Sequence, residues 1–347
     1  MTSGERELEA PHRRHGPGPR ILEKATVAGY RSASWLFGVL PPALPRAVLS
    51  RAAQLSYLLW PTKRRWSNRN FGHVLGLPPD HPRVRRLALA AYAEYGRYLV
   101  ELMRLPSLRA DEVEHLAGDL DTDAVAALSA ASPGGLILAA AHIGNNEAVA
   151  ASIARHGLPI SVVADDTSFP ELFDLLRKQR EGWGIKVIAW RNLRGIFSVL
   201  RQREMLALLV DWGYRADGIP VQVFGAWTAL PAGPATLAAK TGSQILSITI
   251  GRREDGTFGV SWSEPIVVAS SDPAELQRAT QAMADNLTVT IGNAPEQWYS
   301  FKPMWPASPE EAADHERRAR LMQAGLPDPG HARGRPRDEA ELAVDGA

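Results

Sequence analysis

The sequence predicts an α/β fold in which helices flank a mostly parallel central sheet, with a helical region before that sheet. Short, uninterrupted apolar runs recur from residue 136 onward, and such runs are typical of strands buried on both faces of a parallel sheet. Stretches with helical periodicity separate these runs, and strands that alternate with helices indicate an α/β sheet. A turn signal, Ser132-Pro133-Gly134-Gly135, precedes the first run.

The predicted elements follow one another along the chain. Strands are expected at residues 136–141, 160–164, 186–189, 205–210 and 244–250, with added strands at 257–262 and 266–268. Helices are expected at 145–156, 170–182, 194–203 and 232–241, and a closing helix at 273–292. Active sites of such sheets gather at the carboxyl ends of the strands. The loops that follow the strands are therefore where catalytic residues are expected.

The composition limits the chemistry available to the protein. Its 347 residues include 39 Lys and Arg against 38 Asp and Glu, a net charge of +1, and no Cys. The absence of Cys excludes disulfides, a thiol nucleophile and Cys-ligated metal sites. The length fits a single large domain, expected at 21–305, with a helical part at 21–105 and an α/β catalytic core at 132–305. The two ends, 1–20 and 306–347, are expected to be mostly unstructured because of their composition.

The helical part carries charge of one sign. Residues 24–70 contain eight Lys or Arg and no Asp or Glu, interleaved with apolar and aromatic residues such as Trp35 and Leu59. Short helices broken by Pro41 and Pro61 and flanked by cations suit peripheral attachment to an anionic lipid surface. A buried helical layer with a basic outer rim is the alternative. No membrane-spanning segment is expected, since no apolar run reaches the roughly 18 residues needed to span a bilayer, and no secretory signal is expected from residues 1–20, which lack an apolar stretch. The expected location is the cytoplasmic face of the inner membrane, and no nucleic-acid partner is expected.

One loop carries the residues best suited to acid–base chemistry. His142 follows the first apolar run and Glu147 lies five positions later, a spacing that would point the two side chains apart on one continuous helix. With His142 in a turn and Asn145 or Asn146 capping the next helix, Glu147 can reach back toward the imidazole. That pair would be a general base with an orienting carboxylate. The alternatives are a histidine that only fills the turn with a glutamate favouring the helix start, and a metal site, for which the HExxH spacing is absent.

Four stretches, taken together and in order, resemble the lysophospholipid acyltransferase superfamily in its branch of bacterial lipid A and phosphatidylinositol mannoside acyltransferases. They are His142-Ile143-Gly144-Asn145-Asn146-Glu147, Leu209-Val210-Asp211-Trp212, Val223-Phe224-Gly225 with Leu230-Pro231-Ala232-Gly233-Pro234-Ala235, and Pro295-Glu296-Gln297-Trp298-Tyr299. The resemblance extends over most of residues 25–305. It implies an acyltransferase that moves a fatty acyl group from an acyl thioester, of CoA or of acyl carrier protein, to a hydroxyl of a membrane glycolipid. The acceptor would be a phosphatidylinositol mannoside or a lipid A-like molecule.

The resemblance also implies roles for individual residues. His142 would be the general base and Glu147 its orienter, with neither a metal nor a bound cofactor. Substrate contacts are expected near Asn145, where backbone N–H groups start a helix, and from Arg177, Arg180 and Arg194, which would meet phosphates. Asp211 would either accept a hydrogen bond from substrate or cap its own loop. Two alternative functions stay open: a glycerophospholipid acyltransferase and a catalytically silent lipid-binding protein.

Overall fold

The computed structural model describes residues 17–165 and 169–330, with the side chains described from residue 22 onward. The helices are α1 Pro17–Val39, α2 Ala43–Leu59, α3 Pro61–Leu75, α4 Pro82–Arg104, α5 Ala110–His115, α6 Thr122–Ala131, α7 Asn146–Arg155, α8 Pro170–Gly182, α9 Leu193–Arg201, α10 Gly233–Thr241, α11 Pro273–Asn293 and α12 Pro309–Gln323. The strands are β1 Leu136–Ala140, β2 Ile160–Ala164, β3 Lys186–Ala189, β4 Met205–Leu209, β5 Ile219–Val223, β6 Ala226–Leu230, β7 Gln244–Arg252 and β8 Phe258–Trp262. Short 3-10 turns lie at Leu105–Ser107 and Pro295–Gln297.

The central sheet has six strands in the order β3-β2-β4-β1-β7-β8. The first five are parallel, and β8 runs antiparallel to β7 at one edge. Strand β1 lies inside the sheet between β4 and β7, and all five of its residues are buried. The fold prediction of a mostly parallel sheet flanked by helices is confirmed.

Two predicted details of the sheet differ from the structure. Residues 266–268 do not form a strand, since Ile266 makes a single antiparallel bridge to Ile245. A separate antiparallel hairpin, β5 with β6, lies between β4 and α10 and was not predicted. This hairpin follows Asp211 in the chain, and Asp211 belongs to the site described below.

The helical part at 21–105 consists of α1–α4, and part of it belongs to the main core. Helix α4 buries Val84, Ala88 and Tyr92, which pack in the same cluster as residues of the sheet. Helix α2 lies so close to α4 that a Cβ on Gly96 would fall 2.5 Å from the Leu49 carbonyl oxygen. Within the described residues, none of the helices combines the length and apolar content needed to cross a bilayer.

The C-terminal segment differs from the expectation of a mostly unstructured tail at 306–347. Residues 309–323 form α12, which packs on α11 and on the hairpin, whereas residues 331–347, like 1–16, lie outside the described residues. The Arg318 side chain, 2% exposed, forms an ion pair with Asp328 and donates to the carbonyl oxygens of Ala216 and Gly218. Helix α12 therefore holds the loop that joins β4 to the hairpin.

His315 on α12 is held in its neutral form by the same contacts. Arg318 can only donate, so His315 Nδ1, 3.0 Å away, accepts, and Nε2–H donates to the Tyr214 hydroxyl at 2.7 Å. Burial and then the Arg318 cation lower the pKa of His315 from 6.5 to about 4, although Asp314 and Asp328 act in the opposite direction. Protonation of the ring would place a positive charge against Arg318.

This arrangement predicts a pH-dependent stability that includes a contribution from His315. The unfolded chain binds a proton at His315 near pH 6.5 and the folded chain only near pH 4, so stabilisation present above pH 6.5 is lost as the pH falls between these values. The free energy of unfolding, measured by denaturant titration, should decrease as the pH is lowered. His315 should add up to about 1.4 kcal/mol per pH unit to the slope of that decrease. His315→Gln should remove that extra slope. Parallel curves for the two proteins between pH 6.5 and 4 would contradict the assignment.

Candidate active site

His142 lies in the turn between β1 and α7, at the carboxyl edge of the central sheet. Gly144, two residues later, has φ +63°, and a Cβ there would lie 2.7 Å from Ile250 Cγ2 and 2.8 Å from the Ile250 carbonyl oxygen. Only glycine therefore fits this close approach to β7. Asn145 caps α7 by accepting from the Ala148 N–H at 3.0 Å, which confirms the predicted helix cap. The His142 side chain remains 22% exposed.

The carboxylate that contacts the imidazole is that of Asp211. Its Oδ1 lies 2.6 Å from His142 Nδ1, and its two oxygens lie 3.0 and 2.9 Å from the His142 backbone N–H. Asp211 follows β4, the parallel neighbour of β1, so the two residues meet although they are 69 positions apart. Its side chain is fully buried. The expectation that Asp211 accepts a hydrogen bond from substrate does not match this burial.

Trp298 and its neighbours hold both residues from the other side. The Trp298 indole N–H donates to Asp211 Oδ2 at 2.7 Å, and the ring is itself fully buried. The Tyr299 N–H donates to the His142 carbonyl oxygen at 2.7 Å, and the Gly144 N–H donates to the Gln297 carbonyl oxygen. The 295–299 stretch thus pairs with the turn that carries His142 through its backbone and fixes Asp211 through one side chain.

The surroundings keep Asp211 ionised. Burial alone would raise its pKa, but the His142 ring and the hydrogen bonds from His142 and Trp298 outweigh that effect and hold the pKa below its usual value. Because an ionised carboxylate only accepts hydrogen bonds, His142 carries its proton on Nδ1. Nε2 is then the unprotonated nitrogen, with a lone pair available to take a proton.

Glu147 does not occupy the position expected for it. Its carboxylate accepts two hydrogen bonds from the Arg180 guanidinium, one of them at 3.0 Å from Nε. The side chains of this pair are 16% and 17% exposed, and burial together with the Glu147 charge raises the pKa of Tyr30 to about 12. The expectation that Glu147 orients the imidazole does not match the structure, because Asp211 contacts Nδ1. Glu147 instead ties the first turn of α7 to α8.

The other predicted substrate-binding residues have partners other than His142 or lie exposed. The Asn145 side chain, besides its cap, donates to Glu101, which in turn accepts from the buried Arg252. Arg177 forms ion pairs with Asp174 and Glu181 of its own helix. Arg194 is exposed on α9. Arg180, the fourth, is engaged by Glu147, so the cations predicted to meet phosphates have either a carboxylate partner or an exposed surface position.

Trp212, which packs against His142, and Lys302, which packs against Trp212, were not predicted as site residues. The Trp212 ring, 65% exposed, has its centroid 5.1 Å from that of the imidazole. Lys302 places Nζ 4.2 Å from the Trp212 centroid, on the chain that follows the 295–299 stretch. Trp212 directly follows Asp211 in sequence, which was the available signal for it. Lys302 carried no comparable local signal.

An apolar cavity of about 380 Å³ opens beside the end of β4. Leu209 and Val210, the two residues before Asp211, form part of its wall. The remaining lining residues are mostly apolar and come from α9, α10 and the segments before them: Trp190, Leu193, Ile196, Phe197, Leu208, Pro231, Gly233, Pro234, Thr236, Leu237 and Lys240. A second cavity, of about 300 Å³, is lined by Arg46, Glu101 and Arg104 as well as apolar groups, so it suits a hydrocarbon chain less well. No cluster of His, Asp and Glu that could hold a metal ion occurs among the described residues.

Comparison with known proteins places this chain in a family. The bacterial lipid A biosynthesis acyltransferase family matches residues 19–306. A phosphatidylinositol mannoside acyltransferase of Mycolicibacterium smegmatis is 29% identical over 311 residues, which cover 88% of this chain and 96% of that protein. A protein of the same name from Mycobacterium tuberculosis H37Rv is 30% identical over 264 residues, which cover 73% and 80% of the two chains. The chain belongs to the bacterial lipid A biosynthesis acyltransferase family.

Proposed function

We propose that this protein transfers a fatty acyl group from an acyl thioester to a hydroxyl of a mannosylated phosphatidylinositol at the cytoplasmic face of the inner membrane. The acceptor is suggested by the two mycobacterial relatives, both named phosphatidylinositol mannoside acyltransferase. The single observation that carries the chemistry is the 2.6 Å contact between His142 Nδ1 and the buried Asp211 carboxylate. That contact supports an imidazole prepared to act as a general base.

The reaction follows from the protonation states of this pair. His142 Nε2 takes the proton of the acceptor hydroxyl as its oxygen attacks the thioester carbonyl carbon. The imidazolium that forms is stabilised by Asp211, which keeps its negative charge. The carbon–sulfur bond then breaks, and the thiolate leaves, taking up the proton held by the imidazolium. The ester product remains on the lipid, and His142 returns to its neutral state.

The apolar cavity beside β4 suits the acyl chain of the donor. Its wall reaches Val210, the residue before Asp211, so a chain inside it would bring its thioester end toward His142. The cavity is lined mostly by apolar side chains, as hydrocarbon binding requires. Glu147 has a positioning role in this proposal, since its pairing with Arg180 fixes the start of α7 next to His142.

We also propose that α1 and α2 attach the protein to an anionic bilayer. Large apolar side chains are exposed along these helices: Leu22, Trp35, Leu36, Val39, Leu44, Val48, Leu55, Leu58, Leu59 and Trp60. Basic residues such as Arg31, Arg51 and Arg65 lie among them, with no acidic residue in 24–70. Exposed apolar groups interleaved with cations are complementary to a negatively charged lipid surface.

Replacing His142 by Ala should remove most acyl transfer while the fold is kept. A positioned general base contributes about 10²–10⁴ in rate, so kcat should fall by that factor. The assay combines a labelled acyl thioester with mannosylated phosphatidylinositol, a lipid A precursor and lysophosphatidate, and identifies products by mass. His156→Gln, at the far end of α7, is the matched control. Near-normal turnover by the Ala variant, or a product formed only from lysophosphatidate, would contradict the proposal.

The roles of the two carboxylates can be separated by amide substitution. Asp211→Asn presents an NH₂ group where three donors now converge, so it should disturb the imidazole tautomer and lower kcat by about 10²–10⁴. Glu147→Gln keeps one acceptor for Arg180 and should lower kcat by less than about tenfold, with a lower melting temperature. Steady-state kinetics and thermal melting of both variants test this. A well-folded Glu147→Gln enzyme that loses more activity than Asp211→Asn would restore Glu147 as the orienter.

Membrane attachment can be tested by flotation with vesicles. The double variant Trp35→Ala with Leu59→Ala removes two side chains that are 73% and 72% exposed, so the fold should be retained. Each large apolar side chain contributes roughly 1.5–3 kcal/mol when buried, so binding to phosphatidylglycerol vesicles should weaken by at least about tenfold. Val289→Ala, 61% exposed on α11, is the control. Binding of the native protein should also weaken in high salt. Binding whose strength does not change with lipid charge or salt concentration would contradict the proposal.

A further inference from the structure

Lys302 is a cation placed one aromatic ring away from the proposed base. It is half-buried, and its Nζ lies 4.2 Å from the centroid of Trp212, whose ring in turn packs against His142 at 5.1 Å. The backbone around it is held in place, because Asn70 donates to the carbonyl oxygens of Ser300 and Lys302 at 3.0 and 2.7 Å. The ammonium group is therefore presented to the Trp212 ring from a fixed segment.

Lys63 on α3 is a second cation that acts on Lys302. Its Nζ lies 4.4 Å from the centroid of Trp66 and 5.5 Å from that of Trp60. Burial first, and then the charge of Lys63, lower the pKa of Lys302, while the charge of Asp165 offsets part of this effect. The positive charge of Lys63 thus adds to that of Lys302, which itself lies over the Trp212 ring.

Neither lysine has an ion-pair partner among the residues that the structure describes. This distinguishes them from the cations predicted or found elsewhere in the core, since Arg180 pairs with Glu147 and Arg252 pairs with Glu94 and Glu101. The charge of Asp165 acts on Lys302, but no ion pair within the described chain satisfies its ammonium group, so its burial carries a desolvation cost that a bound anion would offset. The contacts with tryptophan rings account for the position of each stem, and among the described residues neither ammonium group donates to an acceptor.

We propose that Lys302 and Lys63 form a phosphate-binding subsite of the active site, which fixes a phosphate ester of one substrate beside His142. This inference rests on the proposed function, because both substrates of that reaction carry phosphate: the phosphodiester of the acceptor lipid and the phosphates of the thioester donor. A compact ammonium group binds such an anion as a point charge. Lys63 borders Trp60, which belongs to the exposed apolar surface, so the subsite lies where a lipid headgroup would enter from the bilayer.

Kinetics of charge-removing variants test the subsite. Lys302→Met and Lys63→Met keep the stem and remove the charge, and each should raise the KM of the phosphate-bearing substrate by about 10–100-fold, the value of a hydrogen bond to a charged group. The kcat should change by less than about threefold, because neither lysine moves a proton in the proposed reaction. Lys302→Arg should recover most of the affinity. Lys186→Met, at the opposite edge of the sheet, should leave both constants unchanged.

Substrate analogues without phosphate identify the source of the anion. If the acceptor supplies the phosphate, the variants lose their KM defect with a neutral mannosylated glycolipid. If the donor supplies it, they lose the defect with an acyl-N-acetylcysteamine thioester. Unchanged KM values for both natural substrates, or a defect in kcat alone, would overturn the subsite.

A binding measurement separates this inference from the proposed function. The His142→Ala protein should broaden the ³¹P resonances of glycerophosphoinositol or of CoA in a saturable manner, and the Lys302→Met change should abolish the effect. Lysine-dependent binding of either probe in a protein that acylates none of the acceptors would keep the subsite and reject the mannoside function. Lysine-independent binding, or binding of neither probe, in a protein that does acylate mannosylated phosphatidylinositol would reject the subsite and keep the function.

Discussion

The contact between Asp211 and His142 is the interaction on which the rest of the site depends. A fully buried carboxylate is tolerable only when hydrogen bonds replace its water, and here the donors are the His142 N–H, the imidazole and the Trp298 indole. These donors come from two segments of the chain far apart in sequence. The site is therefore complete only when β4 lies beside β1 and residues 295–299 have docked against the turn that carries His142. Loss of any one donor would leave the carboxylate partly unsatisfied.

His142 lies in a turn, as the sequence predicted, and the same contact explains why the sequence paired it with the other carboxylate. Glu147 is near His142 in sequence, so its spacing could be examined directly. Asp211 meets His142 only because β1 and β4 are neighbours, and the strand order 3-2-4-1-7-8 is not readable from apolar runs. The runs themselves were informative: β2 and β3 were predicted with the observed bounds, since strands buried in a parallel sheet need continuous apolar sequence.

Helix α12 was not predicted from the sequence, and the reason is physical. Helix α12 buries His315, Arg318, Ala319 and Met322 at helical spacing, but two of these are polar residues that are satisfied by hydrogen bonds rather than by apolar contacts. Hydrophobic periodicity is therefore weak there, and the charge content is typical of a disordered tail. In α1–α4, by contrast, the apolar pattern was clear, yet it could not separate Tyr57, which is buried in the core, from Trp35 and Leu59, which are exposed.

Charge pairing divides the basic residues of this protein into two groups with different consequences. Arg180, Arg252 and Arg318 each lie in the interior with a carboxylate partner, and each joins elements that are distant in sequence, so they stabilise the arrangement around the site. Lys63 and Lys302 form no such pair within the described chain; Lys63 lies over Trp60 and Trp66, and Lys302 lies over Trp212, which packs against His142. A cation that stabilises the fold must be neutralised by the fold, whereas one that binds an anionic substrate must keep its charge available. On this criterion Arg180, which the family resemblance favoured, serves the architecture, and the two lysines are the residues that we propose to meet phosphate.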